Sequence, residues 1–561
     1  MLSACKKEEA RAPSPTPAPE PTAVASAIRF QDVTGESGVA FRHVNGAFGK
    51  KWMPETMGSG VASFDADGDG RLDLLFVNGR YWREDPSAAG KPQPTLAFYR
   101  NATEAGGPIR FVDQTREAGL AVSMYGMGAA IGDVDGNGTP DLLVTGLEED
   151  RLFLNDGKGR FRDASKGSGL DGKGWATSAA FGDFDGDGVL DLFLCQYVDW
   201  TSATDLYCTL DGKTKAYCTP ERYPGRTSRL FKGLGGGRFR DVTREAGVEN
   251  PLGKALGVAV RDVDGDGRLD AAVANDTSPN NLFRNAETKN GVPFFHDVAV
   301  EVGMAVGEDG RARGAMGIAF ADTKNDGGVS LVVGNFSNEM WSFWSAGPKG
   351  AFFADETVVS GLGRTSLLPL TFGVAFADLD LDGVLDIVGV NGHVESSVHE
   401  VQAATTYAQP PLLFRGQGGG KFADVSAQAG ADFTRPFVGR GLAVGDLDGD
   451  GKPDLVVTEN NGPARLLRNV TETKGGAVVL DLGPAIGARV TSTVRGRKRV
   501  DEVSGGDGYL SVSERAVRIG LGAASALDEV TVRWPGGATD SAKSLVPGRY
   551  LWKPGQAPAP R

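Results

Sequence analysis

One nine-residue phrase restricts what this 561-residue chain can fold into more than any other feature. It reads Asp183-Phe-Asp185-Gly-Asp187-Gly188-Val189-Leu-Asp191 and recurs from Asp65, Asp133, Asp262, Asp378 and Asp446. A worn copy starts at Asp322, with Lys324 in third place and Ser330 in ninth. Oxygens at positions 1, 3 and 5 of a tight loop point to one centre, position 7 offers its backbone carbonyl, and the Asp at position 9 closes the shell. Glycine at position 6 permits the left-handed turn that gathers them. Hard carboxylates without His or Cys favour Ca²⁺ over zinc or copper.

The candidate ligands are Asp65, Asp67, Asp69, Arg71 (carbonyl) and Asp73; Asp133, Asp135, Asn137, Thr139 and Asp141; Asp183, Asp185, Asp187, Val189 and Asp191. The remaining sets are Asp262, Asp264, Asp266, Arg268 and Asp270; Asp378, Asp380, Asp382, Val384 and Asp386; Asp446, Asp448, Asp450, Lys452 and Asp454. About six Ca²⁺ are expected. The worn copy is expected to bind none, with the Lys324 ammonium standing partly in place of the ion. An EF-hand is excluded, because its twelfth position needs a bidentate Glu and here holds Phe76. The flanks are short apolar runs, such as 60–64 and 74–77, that read as strands. Each loop therefore joins two strands of a hairpin.

The loop starts are spaced by 68, 50, 79, 60, 56 and 68 residues. Two further signatures recur between them. One is a Leu-Phe-x-Asn strand, as at 152–155 and 282–285, and the other a Phe-x-Asp-Val-Thr strand, as at 239–243. Four strands per unit is the pattern of propeller blades, and seven units predict an all-β, seven-bladed propeller. The seventh unit, 441–469, lacks its Phe-x-Asp-Val-Thr strand, whereas Phe30-Gln-Asp-Val-Thr34 stands unused at the N-terminus. That strand is expected to complete the last blade and close the ring, leaving no large open edge. The Gly- and Ala-rich first strands suit a crowded axis.

These residues resemble the FG-GAP/VCBS repeats of integrin-type propellers. Gly487-Ala-Arg-Val490, Gly508-Tyr-Leu-Ser511, Gly520-Leu-Gly522 and Val532-Arg-Trp-Pro-Gly-Gly537 resemble the ASPIC/UnbV domain. Together they resemble the cartilage acidic protein family and its bacterial relatives, which implies a secreted or surface-exposed calcium-binding protein. The expected organisation is an N-terminal segment 1–27, a propeller 28–470 and a small β-sandwich or barrel 471–561. The basic run Arg495-Gly-Arg-Lys-Arg499 reads as a solvated hairpin.

Leu2-Ser-Ala-Cys5 has the form of a lipobox, with Cys5 as the acylated residue, although the charged and apolar parts of a signal are not in front of it. The Pro/Ala-rich stretch that follows suits a tether. A bacterial envelope lipoprotein or secreted protein is expected. Cys208 and Cys218 are expected to form a disulfide within the polar insertion 199–226, and Cys195 to be a buried free thiol. The six intact loops hold 23 of the 72 acidic residues, so six divalent ions would bring the formal charge of −13 to about −1. The acidic balance argues against nucleic acid as a partner. No apolar run is long enough to span a membrane.

Long insertions, 80–95, 199–226 and 391–409, are expected on the face opposite the calcium loops. Candidate ligand-face residues there are Trp52, Asn78, Tyr125, Trp175, Asn275, Arg313, Asn335, Asn391, His393 and Asn460, with Asp276, His43, Lys51 and Arg440 nearby. Aromatic, amide and basic groups around a funnel suit a glycan or an acidic peptide. For any one of them the simpler reading is an Asn that caps a turn or a Trp that packs between blades. No Gly-x-Ser-x-Gly elbow, P-loop or complete zincin motif is present. The function expected is a monomeric, extracytoplasmic binding or adhesion module for a glycan or a surface protein, with structural ions. The alternatives are a calcium-dependent enzyme (a polysaccharide lyase or a tailoring enzyme) with a base such as His393, His43, Tyr125 or Arg313, and a purely structural scaffold.

Overall fold

The computed structural model describes residues 28–104, 106–347 and 349–561. Cys5 and the segment 1–27 lie outside the described residues. Short helical turns apart, the chain is all β.

Six four-stranded antiparallel sheets follow in chain order, five formed by consecutive strands and the third interrupted by the two-stranded hairpin Cys208–Thr209 and Lys215–Ala216. The second is Gly126–Gly132, Asp141–Gly146, Arg151–Asn155 and Phe161–Asp163. A seventh sheet joins Gly439–Gly445, Asp454–Glu459 and Arg465–Asn469 to the N-terminal strand Phe30–Asp32, with Phe30 opposite Asn469 and Asp32 opposite Leu467. Meandering four-stranded sheets with almost no helix, carrying one repeated loop, fit a β-propeller. The first strands are buried on both faces and pack sheet against sheet, which explains their runs of Gly, Ala and Val. Side chains of the first and last sheets share one apolar cluster, Val61, Leu74 and Phe76 with Ala443, Val456 and Leu466.

The asparagine of the Leu-Phe-x-Asn strand does more than end it. Its amide donates to a carbonyl in the loop of the neighbouring sheet: Asn155 to Ala66 at 2.8 Å, Asn285 to Phe184 at 2.7 Å, Asn469 to Leu379 at 2.9 Å and Asn101 to Leu447 at 2.9 Å. The last of these ties the first sheet to the seventh.

The C-terminal part forms two further four-stranded sheets between Ala477 and Pro560, around a core that includes Val478, Leu480, Val530 and Trp552. From them the segment 504–514 runs between the first strands of the other sheets. The Val512, Leu510, Gly505, Gly506 and Gly508 carbonyls accept from Ser63, Ala129, Phe181, Val260 and Ile318, and the Glu514 N–H donates to Val444. On the sixth sheet Phe372 meets Tyr509 edge-on, with ring centres 4.9 Å apart. The small first-strand residues are therefore set by a polypeptide passing through the middle. A Cβ on Gly60 would overlap the Leu510 carbonyl oxygen.

Candidate metal centres and the central cavity

Each acidic loop sits where a first strand turns into a second. Glycine at position 6 has positive φ in every intact copy, for example 92° at Gly70 and 96° at Gly267. Position 4 is left-handed too, and in the copy from Asp378 it is the non-glycine Leu381 (φ 56°) that adopts this conformation. The position-1 carboxylate gathers the backbone N–H groups of the turn, as Asp183 does those of Gly186, Asp187 and Gly188. The position-9 aspartate is buried and doubly held: Asp191 accepts from Phe184 N–H at 3.0 Å and from Gly233 N–H on the third strand at 2.8 Å. Asp73, Asp141, Asp270, Asp386 and Asp454 repeat this arrangement.

In the copies from 65, 133, 183, 262 and 378, one carboxylate oxygen from each of positions 1, 3 and 9 lies within 4.8 Å of the others. Burial pushes these acids up, Asp73 to about 7, Asp141 to about 6, Asp191 to about 8 and Asp378 to about 7, with neighbouring carboxylates adding to the rise. Asp378 Oδ1 and Asp380 Oδ1 are buried without a hydrogen-bond partner. Converging hard oxygens with orphaned lone pairs fit a divalent cation such as Ca²⁺.

Protein cations also approach these acids. A base at the x of Leu-Phe-x-Asn faces positions 3 and 5: Arg100 pairs with Asp67, Lys232 with Asp185 and Asp187, Arg284 with Asp264, Arg415 with Asp380 and Asp382, and Arg468 with Asp448. The second sheet has Leu154 there, and its loop alone carries Asn137 instead of Asp at position 5. The C-terminal part contributes more: Arg561 pairs with Asp65 at 2.8 Å, Arg533 with Asp262 at 3.1 Å, and Arg497 donates to the Asp382 carbonyl at 3.1 Å. Arg499 is buried and lies beside Asp378 and Asp322. The run 495–499 is thus a docking hairpin in part, because its arginines meet the negative ends of the loops. At the worn copy Lys324 does not stand in for an ion. It pairs with Glu356 at 2.8 Å, while Asp322 accepts from Val500 and Gly327 N–H.

The opposite ends of the second strands carry the insertions. The expected disulfide Cys208–Cys218 is formed, and Cys195 is a buried free thiol. The ligand-face asparagines are buried and hold loops: Asn78 accepts from Val44, Asn275 from Lys254 and Asn391 from Thr371, while Asn335 donates to Met340 and Asn460 to Glu55. Trp52 packs against Phe48, Trp82 and Trp200, Tyr125 stacks on Trp82 and donates to Asn45, and Trp175 meets Tyr197. Arg313 pairs with Asp309, and His43 accepts from Asn461 N–H. Apart from the half-buried Arg313, these residues build the walls and do not face solvent. His393 and Asp276 line a cavity of about 210 Å³ at this end. The strand Asp386–Asn391 separates His393 from its loop by roughly 17 Å, at 3.3–3.4 Å per residue. A His393 base and a loop-bound ion are therefore not on one site.

Residues 65–144, 133–194 and 402–457 match the FG-GAP-like repeat, 438–480 match the FG-GAP repeat, and 482–555 match the ASPIC and UnbV family. The chain thus carries FG-GAP repeats followed by an ASPIC/UnbV domain. It is 31% identical to human cartilage acidic protein 1 over 38% of this chain and 32% of that protein, and 27% identical to the Xenopus tropicalis protein over 53% and 44%. The chain thus spans less than half the length of these curated relatives. Among solved structures it resembles an Agrocybe aegerita lectin that recognises non-reducing terminal N-acetylglucosamine (16% identity, TM-score 0.39, 74% of this chain and 94% of that one). It also resembles a Bacillus licheniformis rhamnogalacturonan lyase (12% identity, TM-score 0.32, 88% and 91%). At these scores neither carries an assignment.

Two features of this FG-GAP and ASPIC/UnbV chain leave only a faint trace in the sequence. The third-strand base is visible as a recurring Arg or Lys before Asn or Gly (Arg100, Lys232, Arg284, Arg415, Arg468). The central segment is visible as the glycine cluster Ser504-Gly-Gly-Asp-Gly508, which reads as an ordinary turn until its neighbours are known.

Proposed function

We propose that this chain is an extracytoplasmic, calcium-binding, seven-bladed propeller, residues 28–470, capped on its loop face by the ASPIC/UnbV-like domain 471–561, and that it works as a binding module through the insertion-bearing face. The pairing of Phe30–Asp32 with the last sheet and the Asn101 contact to Leu447 support a closed ring. The oxygen-only donor sets support about six Ca²⁺, and calcium modules outside the cell commonly bind at about 0.1–1 mM. The disulfide supports an oxidising compartment. Among the described residues no helix is long and apolar enough to cross a membrane.

The carrying observation is the division of labour between the two faces. The C-terminal arginines cover several of the acidic loops, whereas the other face presents the disulfide-pinned insertion with its tip exposed: Tyr207 is 68% solvent-accessible. An exposed aromatic ring on a rigid loop suits stacking on a sugar or a protein partner. Glycan-array binding by the calcium-loaded protein is expected to be lost in EGTA and to fall about tenfold or more in Tyr207→Ala. Undiminished binding by that variant would place recognition elsewhere.

A further inference from the structure

The cavity of about 210 Å³ is walled by the two insertions and by side chains that bulged first strands aim inward. Its apolar lining includes Met53, Met57, Met316, Phe336 and Phe372. Its polar lining includes Thr56, Tyr217, Thr219 and Gln402, and two groups of opposite hydrogen-bonding character, His393 and Asp276. His393 is 4% exposed, and its Nδ1 accepts the Glu395 N–H at 3.0 Å and lies 3.3 Å from the Glu395 carbonyl; the shorter N–H contact assigns the ring proton to Nε2. That Nε2–H has no partner. Asp276 is held from behind by the Tyr197 hydroxyl at 2.5 Å. Lys254, Glu339 and Glu221 lie near Asp276, and two further charges on the His393 side are already paired or hydrogen-bonded. Arg440 donates to the Thr56, Gly392, Gly439 and His393 carbonyls and stacks over Phe372 at 3.9 Å, and Glu395 pairs with Lys51 at 2.7 Å.

We propose that this cavity binds one neutral, single-ring aromatic molecule, which accepts from His393 Nε2–H through a carbonyl-type oxygen and donates an N–H or O–H to Asp276. A dry apolar cavity of about 150 Å³ holds benzene, so 210 Å³ suits roughly eight or nine non-hydrogen atoms. Methionine and phenylalanine walls favour an aromatic body. An unpartnered buried donor selects strongly for a ligand that satisfies it, because leaving it unmade costs the full desolvation of the group. Burial keeps His393 neutral, pushed down to about 4, so the donor brings no charge that would call for an anion. Leu210 and Val401, 48% and 51% exposed, flank the entrance. Beyond the location, nothing here depends on a glycan or protein docking at the rim.

The test is isothermal titration of the full-length, calcium-saturated protein with benzamide, benzoate and benzylamine. Benzamide is expected to bind with a Kd of about 10 μM–1 mM, and the anion and the cation at least tenfold more weakly. His393→Leu, which keeps volume and removes the donor, is expected to weaken benzamide about tenfold or more, and Met316→Trp, which fills the space, to abolish it. Thermal melts establish that each variant is folded, and His393→Leu alone decides if Met316→Trp is not. No binding by benzamide, equal binding by a charged probe, or unchanged affinity in His393→Leu would overturn the proposal. Tyr207→Ala is expected to bind benzamide like the parent, which separates this site from recognition at the rim.

Discussion

Single residues carry unusual weight here because several close approaches involve backbone rather than flexible side chains. A Cβ on Gly505 would overlap the Phe181 carbonyl oxygen, and neither the central segment nor the first strand can step aside. Gly505→Ala is expected to cost about 2 kcal/mol or more in chemical unfolding, whereas Gly347→Ala, which meets nothing within 4 Å, is expected to change little. Buried acids away from the loops set a pH dependence. Asp276 and Glu55 are each pushed up to about 7, chiefly by burial, with Lys254, Glu339 and Glu221 acting on the first and Lys51 and Asp205 on the second. Each keeps a proton in the folded chain that it loses near pH 4 when unfolded. Their stabilising contribution is complete below about pH 4 and disappears as pH rises through about 7, up to roughly 4 kcal/mol for Asp276. The fall in melting temperature from pH 5 to pH 8 is therefore expected to be smaller in Asp276→Asn/Glu55→Gln than in the parent. An equal fall in both would mean that these groups are not the source.

At the scale of the element, the unit is the loop together with the third strand behind it. Without a cation, the base of that strand partly neutralises positions 3 and 5, and Lys232 does so for Asp185 and Asp187 by itself. Base and metal ion act on the same carboxylates with the same sign of charge. Lys232→Met is expected to lower stability in EGTA by about 2 kcal/mol, because it leaves buried carboxylates unpaired. The same change is expected to tighten cation binding at that loop about tenfold, read by terbium luminescence, since a repelling charge a few ångströms from the ion is gone. Weaker cation binding in the variant would show that the lysine helps to shape the site. The second sheet performs this substitution naturally, with Leu154 and Asn137 in place of the base and one acid.

On the scale of the molecule, the central segment makes two structural parts into one cooperative body. Backbone groups of the first strands are satisfied by residues of the C-terminal part, and buried backbone groups must be satisfied somewhere. Calorimetry of the full chain is expected to show one unfolding transition, with no separate melting of 471–561. Calcium added from EGTA is expected to raise that transition by about 10 °C, saturating between micromolar and millimolar concentrations, as ion binding to the folded state alone requires. Two transitions would mean that the parts unfold independently. An unmoved transition would make the acidic loops plain turns.

Much of the short-range chemistry was legible in the residues, the role of Lys324 apart. The spacing of Asp and Gly defines each loop, because ligand geometry and left-handed turns are settled within nine positions. Strand alternation, the four-strand period and the N-terminal partner for the last sheet follow from local pattern, and the Cys208–Cys218 disulfide from two cysteines ten residues apart. Contacts between distant segments were not legible. Asn78, Trp52 and Trp175 read as surface candidates, yet packing buries them, because polar and aromatic side chains serve equally to cap a loop or to meet a ligand until their neighbours are known. Arg499 read as solvated, yet it is buried beside Asp378 and Asp322, more than a hundred residues away, while Arg497 stays exposed and still reaches the Asp382 carbonyl. The first-strand glycines, the course of 504–514 and the pairing of an orphaned His393 Nε2–H with a cavity are likewise decided only in three dimensions, since sequence encodes what a residue can do and the tertiary fold decides what it faces.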